Sequence, residues 1–411
     1  MTSKYAETGV DVHKKGIGVF KPLIKNLFPH AFAVVYKDPN YKGYGLILHS
    51  DGQGSKAVQC YLHYKVTGDE RAFEYSADDF IGMNIGDVFC VNGEVIGLAD
   101  YVAINRFVVP KDVFLKAFSR GIERNLKTLA KYGINIPFAG GETADLPDQV
   151  RTVDVSGTVV ARVKLPDKLT DWFYRSFFPT NYKSAITGEE IKPGDIIIGL
   201  RSDGRAVWED VKNSGHMSNG STLSRHCLML SDYEEKYPEI RDPKGKPYTG
   251  KFRTDQYLSD LGMTVGEALI SPTRQFAIPL NEILKKYRKY VHGAVHNTGG
   301  GQTKCLRIGK NLHFIKDNLP DPPPFFYLVQ QESGESWEAM HEGFNMGIGI
   351  DIIVPREMGN YIMEVAKSLG VGARETGYIK ENSTGGNDNG NRLTIKSKFG
   401  TFEYPEPEKK E

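Results

Sequence analysis

The sequence contains little cysteine, almost no net charge and no long apolar run. Its four cysteines lie far apart without a Cys-x-x-Cys pair, which argues against disulfides or zinc and favours buried free thiols. The formal net charge of +1 gives no electrostatic reason to expect nucleic acid or a membrane surface as a partner. No run approaches the roughly 18 apolar residues of a membrane helix, and the N-terminus has no apolar signal core. These absences predict a cytoplasmic protein that binds neither nucleic acid nor membrane.

Glycine, in contrast, is abundant, with 44 residues, many of them in short clusters. Clustered glycine is typical of tight turns and of backbone that closely approaches a ligand. Apolar and β-branched runs between the clusters predict strands. The predicted strands of the first half span residues 44–49, 81–91, 101–109 and 151–164.

One long helix is predicted over residues 110–133. Apolar residues recur there every three or four positions, with Pro110 near the start and Gly133 at the end. A second helix is predicted over residues 361–370, since Gly370 ends the pattern.

The second half mixes this helix with strands, and the predicted strands are 195–202, 351–355 and 375–380. The chain is therefore predicted to be an α+β protein of two domains, 1–165 and 166–411, with an aromatic and irregular boundary at 165–193. Residues 381–392 are predicted to be a flexible loop and 403–411 a frayed tail.

The stretch DGQGSK, residues 51–56, combines an acid, two glycines and a lysine directly after an apolar run. Asp51 offers the carboxylate oxygen that magnesium prefers. Gly52 and Gly54 allow backbone N–H groups to approach an anion, and Lys56 adds positive charge. A P-loop is excluded because GxxxxGK[ST] is absent. The stretch is either a cradle for phosphate and metal or a plain glycine hairpin with a solvated lysine.

Two further acids are candidates for the same site. Asp87 stands in an otherwise apolar run, where an unpaired carboxylate is costly, so we expect it to cap a turn, pair with a cation or bind a metal. Glu142 follows two glycines in FAGGETADLPDQV and is either a ligand or an ordinary loop acid. A magnesium ion bridged to nucleotide phosphates usually takes one or two carboxylates. Asp51, Asp87 and Glu142 together are therefore enough to hold more than one ion and to offset the charge of a triphosphate, although the sequence does not give the number of ions.

Two glycine-rich loops in the second half complete the candidates. GHMSNGS at 215–221 combines glycine with hydroxyl and amide side chains, and HNTGGG at 296–301 adds His296. A triple glycine is able to open a helix whose N-terminal amides accept a phosphate. Both stretches are alternatively plain loops, and an isolated histidine is more often structural than catalytic.

The segments YAETGVDV, DGQGSK, GGETADLP, GDIIIGL, SNG, SPTR, HNTGGG and FNMGIGI resemble, in this order, the motifs of aminoimidazole ribonucleotide synthetase, also called phosphoribosylformylglycinamidine cyclo-ligase. The resemblance runs from Tyr5 to Gly377, and GGETADLP and HNTGGG are its most specific segments. It implies a homodimer with an N-terminal α/β domain whose strands join a dimeric β-barrel, followed by a C-terminal α/β domain. It also implies the conversion of formylglycinamidine ribonucleotide, with ATP and Mg²⁺, to aminoimidazole ribonucleotide, ADP and phosphate.

The implied route phosphorylates the formyl amide oxygen, after which the amidine nitrogen attacks that carbon and phosphate leaves. Phosphoryl transfer depends mainly on positioning and charge neutralisation. By motif, the metal ligands are Asp51, Asp87 and Glu142. The residues implied to bind the nucleotide and its phosphates are Asp11, Gly52, Gly54, Ser55, Lys56, Gly140, Gly141 and Thr143. The residues implied to bind the ribonucleotide are Ser218, Asn219, Gly220, Asn297, Thr298, Gly299 and Gly300, and the catalytic residues are Lys56 and His296.

The chain departs from the family pattern in several places. The usual DGVGTK carries Gln53 and Ser55 here, and the usual Asn-Asp is Gly86-Asp87. In the usual PHSNG, Met217 takes the place of the histidine and His216 stands one residue earlier. These departures indicate a divergent member of the family.

Further differences are a missing glycine-rich stretch, replaced by NLFPHAFAVVYKDPNY, and longer segments at 167–185 and 205–214. Two other functions therefore stay open on the sequence. One is that of a related ATP-dependent enzyme such as thiamine monophosphate kinase, although that enzyme is shorter and lacks HNTGGG in this form. The other is a catalytically inactive paralogue that binds nucleotide in a regulatory or scaffold role.

Overall fold

The computed structural model describes residues 3–11, 16–167, 184–382 and 390–405, together with Ser176. Parts of the predicted loop (383–389), of the tail (406–411) and of the longer segment near 167–185 (168–175 and 177–183) lie outside these residues. The described chain has the expected α+β composition and contains two large sheets, one on each side of the predicted boundary at 165 and 166.

The helices of the described chain are α1 (Lys4–Glu7), α2 (Lys56–Thr67), α3 (Arg71–Phe89), α4 (Lys111–Lys131), α5 (Ser221–Leu228), α6 (Asp232–Lys236), α7 (Val265–Ile270), α8 (Ala277–Tyr287), α9 (Pro324–Ser333), α10 (Trp337–Gly343) and α11 (Gly359–Ser368). Short 3₁₀ helices span Ile17–Leu23, Pro238–Ile240, Arg288–Tyr290, Gly301–Arg307 and Arg356–Met358. Among these residues, no helix combines the length and the apolar character needed to cross a membrane.

The first sheet has five strands in the order β1-β2-β5-β3-β4, and it is mixed because β3 and β4 run parallel while the other neighbours are antiparallel. Its strands are β1 (Tyr36–Lys37), β2 (Tyr44–Gly52), β3 (Glu94–Ile104), β4 (Phe138–Asp145) and β5 (Val153–Lys164). Alternate residues of β5, such as Val155 and Val159, are buried on the inner face, which α2 and α3 cover. Within the described chain this sheet is open and does not close into a barrel.

The second sheet has seven strands in the order β11-β13-β6-β14-β12-β15-β16. Its strands are β6 (Ile196–Arg201), β11 (Gly293–His296), β12 (Leu312–Lys316), β13 (Ile348–Val354), β14 (Ala373–Glu381), β15 (Arg392–Ser397) and β16 (Gly400–Pro405). Two short hairpins pair β7 (Asp203–Gly204) with β8 (Asn213–Ser214) and β9 (Tyr257–Leu258) with β10 (Met263–Thr264). Only β12 and β15 are parallel, and α11 packs on β6 and β14.

Most predicted elements are confirmed, including the long helix (α4), the helix at 361–370 (α11), the strand at 151–164 (β5) and the three strands of the second half. The strand predicted at 81–91 is wrong, because residues 81–89 belong to α3 and residues 90–91 to the turn that follows it. From Ser76 to Val88 every residue of α3 is buried, so the helix is enclosed on all sides and its apolar residues do not follow a 3.6-residue pattern. The strand predicted at 101–109 lies earlier, at Glu94–Ile104, and the chain turns after it.

The two halves pack closely against each other. Helices α2 and α3 of the first half contact α5, α7 and α8 of the second half. One continuous buried apolar cluster includes residues of both halves, such as Phe80 and Phe276. Candidate residues of the two halves, such as Asp87 and His296, therefore meet across this packed boundary.

Candidate functional site

A histidine and two acids meet where β2 crosses α3. His49 and Asp51 lie two residues apart on β2, so both side chains point to the inner face of the sheet. Asp87 reaches them from the last turn of α3. One ligand atom of each of these three side chains lies within 4.8 Å of the other two. This His49–Asp51–Asp87 cluster is the one group of three or more potential metal ligands in the described part of the chain.

Asp87 is held between two imidazole rings. His296 Nδ1 lies 2.8 Å from Asp87 Oδ1, and His49 Nε2 lies 3.3 Å from Oδ2. Burial works against the charge of Asp87, but the nearby ammonium of Lys304 and the hydrogen bonds from His296 and His49 hold the pKa of Asp87 well below its usual range. The sequence predicted that Asp87 caps a turn, pairs with a cation or binds a metal, and the structure shows a hydrogen-bonded, ionised carboxylate near the ammonium of Lys304.

His49 is a partner of Asp87 that sequence reasoning missed. Burial alone would lower the pKa of His49, but the hydrogen bond and charge of Asp87 and the charge of Asp51 raise it above the ordinary value. His49 Nδ1 lies 3.3 Å from Oδ1 of Asn84, whose Nδ2 donates to the backbone oxygen of Asp51. The strand alternation that places Asp51 inward also places His49 inward, and this signal was present in the sequence.

Gly86 makes room for His296. A Cβ at position 86 would lie 2.6 Å from His296 Cε1 and 2.7 Å from Nδ1, closer than side chains pack. The family's usual Asn-Asp pair therefore has no space here, and the glycine is a requirement of this histidine position.

His296 is the last residue of β11 and is fully buried. Since the ionised Asp87 only accepts hydrogen bonds, the proton of that contact sits on His296 Nδ1. The other ring nitrogen, Nε2, is buried without a hydrogen-bond partner among the described residues. Nε2 is therefore the atom through which this ring would exchange a proton with a ligand.

The glycines after His296 open a 3₁₀ helix, as predicted for a triple glycine, although this helix is only the seven-residue Gly301–Arg307. A Cβ at Gly299 or Gly300 would meet no atom within 4 Å, so the backbone there borders open space. Thr298 accepts a hydrogen bond from the ammonium of Lys304. Asn297 donates to Asp351 Oδ2 at 3.1 Å, which fixes its side chain inside the fold.

Lys304 was also missed. It is buried, its ammonium stands 5.0 Å from the centre of the Phe32 ring, and its charge acts on both Asp87 and Asp51. Burial lowers the pKa of Lys304 below its ordinary value, although the charge of Asp87 opposes this. No family segment quoted from the sequence included it, so pattern reading had no signal for its role.

Lys56 lies apart from this cluster. Its side chain is fully buried, and Nζ lies 2.8 Å from Asp79 Oδ1 and also donates to the backbone oxygen of Ser271. Neither reading of the sequence, a lysine that faces phosphate or a solvated lysine in a hairpin, describes this ion pair. Instead of a hairpin, the stretch ends β2 at Gly52 and begins α2 at Lys56.

The rest of the turn is also tied to the fold. Gly52 N donates to Asp51 Oδ1 at 2.8 Å, and Gly54 has φ +61° with open space at its Cβ position. The hydroxyl of Ser55 lies 2.6 Å from that of Thr222 on α5, and Arg225 donates to the Ser55 backbone oxygen.

The Ser218–Gly220 segment lies at the N-terminus of α5. Ser218 Oγ is 3.3 Å from Thr273 Oγ1, and Asn219 donates to the backbone oxygen of Gly343. Gly220 has φ +80° and donates its N–H to the hydroxyl of Tyr5, so the N-terminal segment closes over this loop. Asp11, further along that segment, is exposed.

Glu142 lies away from the cluster. It pairs with Tyr101, which pairs with Ser156, and this places Glu142 on the outer face of the sheet, whereas Asp51 points inward. Three strand spacings of about 4.8 Å, roughly 14 Å in all, also separate β4 from β2. Within one chain, the structure does not bring Glu142 to Asp51 and Asp87. Its neighbours Gly140, Gly141 and Thr143 share the edge strand β4.

Comparison with known proteins finds relatives in sequence and in fold. A family model described as AIR synthase related protein, N-terminal domain, matches residues 33–163. The chain is 29% identical over 406 residues to the phosphoribosylformylglycinamidine cyclo-ligase of Methanocaldococcus jannaschii. The aligned region covers 96% of each chain. It is 30% identical over 387 residues to the enzyme of the same name from Methanococcus vannielii, which covers 92% of each.

Two solved structures have a similar fold. One is described as AaThiL complexed with AMPPCP and TMP, with a TM-score of 0.53 and 12% identity over 94% of this chain and 95% of that chain. The other is described as T. maritima PurL complexed with FGAR, with a TM-score of 0.51 and 12% identity over 98% of this chain and 52% of that chain. At such identities the likeness concerns the fold alone.

Proposed function

Because the chain belongs to the phosphoribosylformylglycinamidine cyclo-ligase family, we propose that it closes the imidazole ring of aminoimidazole ribonucleotide in purine biosynthesis, with formylglycinamidine ribonucleotide and ATP as substrates. The observation that carries the proposal is 30% identity to a cyclo-ligase across 92% of both chains. The His49–Asp51–Asp87 cluster with His296 beside it supplies a site for the chemistry.

The proposed reaction transfers the γ-phosphoryl group of ATP to the formyl amide oxygen. The amidine nitrogen then attacks the same carbon, the C–O bond breaks and phosphate leaves with that oxygen. The attacking amidine nitrogen and the former amide nitrogen each lose a proton, and a further proton moves from the ring CH2 group to the exocyclic nitrogen as the ring becomes aromatic. A similar fold described as complexed with AMPPCP supports nucleotide binding on this scaffold. The protein's part in such a transfer is positioning and charge neutralisation.

The donor set fits a magnesium ion in part. Asp51 and Asp87 provide carboxylate oxygens, which Mg²⁺ prefers, whereas His49 provides an imidazole, which it does not. Asp51 and Asp87 would therefore hold the ion. When bound, Mg²⁺ neutralises the negative charge on nucleotide phosphates. The imidazole of His49 would orient Asp87 through its contact with Oδ2.

His296 is proposed to take the proton that ring closure releases. Its Nδ1–H is committed to Asp87, and this fixes the ring so that Nε2 remains for the ligand. Asn297, Thr298 and the open backbone of Gly299 and Gly300 would bind the ribonucleotide next to it. The FGAR named in the second similar structure supports a ribonucleotide on this fold.

A homodimer is part of the proposal. The outer face of the first sheet exposes apolar side chains that face away from the helices, among them Leu48 at 58% and Tyr44 and Tyr101 at 39% each. A second copy that packs on this face would cover these side chains and complete a barrel from the open sheet. The same contact would bring the partner's surface close to Glu142, which lies on that face.

The direct test is turnover by the purified chain. With formylglycinamidine ribonucleotide, ATP and Mg²⁺, we expect ADP, phosphate and aminoimidazole ribonucleotide in equal amounts. Asp87→Asn should lower kcat by about 10²–10³-fold, the loss typical of one charge-stabilising group. Asp195→Asn is the matched control, since Asp195 also accepts a hydrogen bond from a histidine, His292, but lies outside the cluster.

Other outcomes separate the alternatives. Phosphorylation of thiamine monophosphate in place of ring closure would support the kinase reading and overturn ours. Nucleotide binding without turnover of either substrate would support an inactive paralogue.

A further inference from the structure

Asp79 joins the two halves of the molecule at a point that no candidate motif included. It is fully buried in α3. The hydrogen bonds to its carboxylate come from the 51–56 turn and from Thr273, which lies in the SPTR segment. From the first half, Gln53 Nε2 donates to Oδ2 at 3.0 Å and Lys56 Nζ to Oδ1 at 2.8 Å. From the second half, Thr273 donates to Oδ1 twice, through its N–H at 3.0 Å and its hydroxyl at 2.7 Å.

Through these four hydrogen bonds, Asp79 connects the two halves of the chain. Because a carboxylate paired with a buried ammonium only accepts hydrogen bonds, the one hydroxyl hydrogen of Thr273 must be donated to Asp79. The Asp79–Thr273 contact thus has a fixed direction.

That direction determines what Ser218 presents to a ligand. Ser218 Oγ lies 3.3 Å from Thr273 Oγ1, whose hydrogen is already directed to Asp79. Thr273 therefore accepts at this contact, and Ser218 donates its own single hydrogen to it. Only the lone pairs of Ser218 Oγ remain for a ligand.

We infer that the Asp79–Thr273 pair fixes Ser218 as a hydrogen-bond acceptor, so that Ser218 recognises an N–H or O–H donor of the ribonucleotide and not a phosphate oxygen. This rests on the proposed function for the identity of the substrate. Asp79 and Thr273 are positioning residues, since they act on the ligand through Ser218. The amidine N–H groups and the ribose hydroxyls are the donors that fit, whereas an ionised phosphate oxygen offers no hydrogen to this atom.

Thr273→Val tests the inference most sharply, because it removes the hydroxyl, keeps the side-chain shape and leaves the buried Lys56–Asp79 ion pair intact. Thr376→Val is the matched control, since Thr376 is equally buried and its hydroxyl donates to a backbone oxygen within the second half. We expect Thr273→Val to raise the KM for formylglycinamidine ribonucleotide about five-fold to ten-fold, the effect of one neutral hydrogen bond, and to leave the KM for ATP within about two-fold.

Ser218→Ala completes a double-mutant cycle with Thr273→Val. If the two residues act as one unit, Ser218→Ala will change the ribonucleotide KM far less in the Thr273→Val background than in wild type. An unchanged KM in Thr273→Val, or a full Ser218→Ala effect in that background, would overturn the inference.

Hydrogen–deuterium exchange of the ligand-free protein provides a readout that does not depend on the substrate. Thr273→Val should speed exchange in residues 216–222 relative to wild type and to Thr376→Val, and an unchanged rate there would overturn the inference. If wild type does not turn over the ribonucleotide, the proposed function fails, and the exchange data alone then decide whether Asp79 and Thr273 hold this loop.

Discussion

At the scale of single residues, Asp87 is defined by its neighbours. Two imidazoles and a nearby ammonium keep it charged in a buried place, where an isolated carboxylate would be protonated. The sequence predicted that Asp87 needs a partner, because burying an unpaired carboxylate within an apolar run is energetically costly. It did not predict the partners, since His49, His296 and Lys304 are brought there by three different elements.

His296→Gln should lower kcat by about 10²–10⁴-fold if the ring takes the proton released on ring closure. His292→Gln is the control, because His292, four residues before His296, also has its Nδ1 2.8 Å from a carboxylate, that of Asp195. Steady-state kinetics of both variants provide the measurement. Equal losses in the two would mean that a histidine–aspartate pair matters only for the fold.

Gly86→Ala should lower the free energy of unfolding by about 1–3 kcal/mol, the usual cost of overpacking. In most helices the same exchange stabilises, so the direction itself is diagnostic. The cause is the His296 ring, which lies 2.6 Å from the added methyl position. Urea denaturation measures the change, and Gly97→Ala, with no atom within 4 Å, is the control. A neutral or stabilising Gly86→Ala would show that the ring does not occupy this place.

At the scale of elements, the length and pattern of each segment decided what could be predicted. Helix α4 follows an apolar stripe with clear ends, and β5 alternates, so both were identified. Helix α3 is buried on every side near Asp87, and a continuous apolar run does not distinguish a helix from a strand. The turn at 51–56 was recognised as special, but the burial of Lys56 depends on α3 and on the second half, which no local pattern contains.

Lys56→Met should lower the free energy of unfolding by about 3–5 kcal/mol, because it leaves the fully buried Asp79 without its cation. Lys111→Met is the control, since Lys111 and Asp145 form a partly exposed ion pair whose loss should cost less than about 1 kcal/mol. Chemical denaturation gives both values. A small loss in Lys56→Met, together with a raised KM for ATP, would favour a lysine that faces phosphate.

At the scale of the whole molecule, the two sheets lie on either side of the predicted boundary, yet the halves share one apolar cluster. The division into 1–165 and 166–411 stays a prediction about domains. The order of the motifs predicted the family because the motifs lie along most of the chain. The outer face of the first sheet, in contrast, would be covered only in the proposed homodimer.

Leu48→Glu should weaken a homodimer by at least about ten-fold in Kd, equivalent to 1.4 kcal/mol, because it puts a charge on the outer face of the first sheet. Val207→Glu is the control, since Val207 is similarly exposed, at 63%, but lies in the second half. Sedimentation velocity over a concentration series measures the effect. A wild-type chain that stays monomeric at high concentration would contradict the dimer.

The four buried thiols make it possible to detect local unfolding of the chain by thiol labelling. Cys60, Cys90, Cys227 and Cys305 are all free and buried, as the sequence predicted, and burial raises the pKa of Cys60 and of Cys305 to about 12. A thiol reagent therefore has nothing to react with until a region opens. Since two of the thiols lie in each half, mass spectrometry of pulse-labelled peptides would reveal whether the halves open together or in sequence.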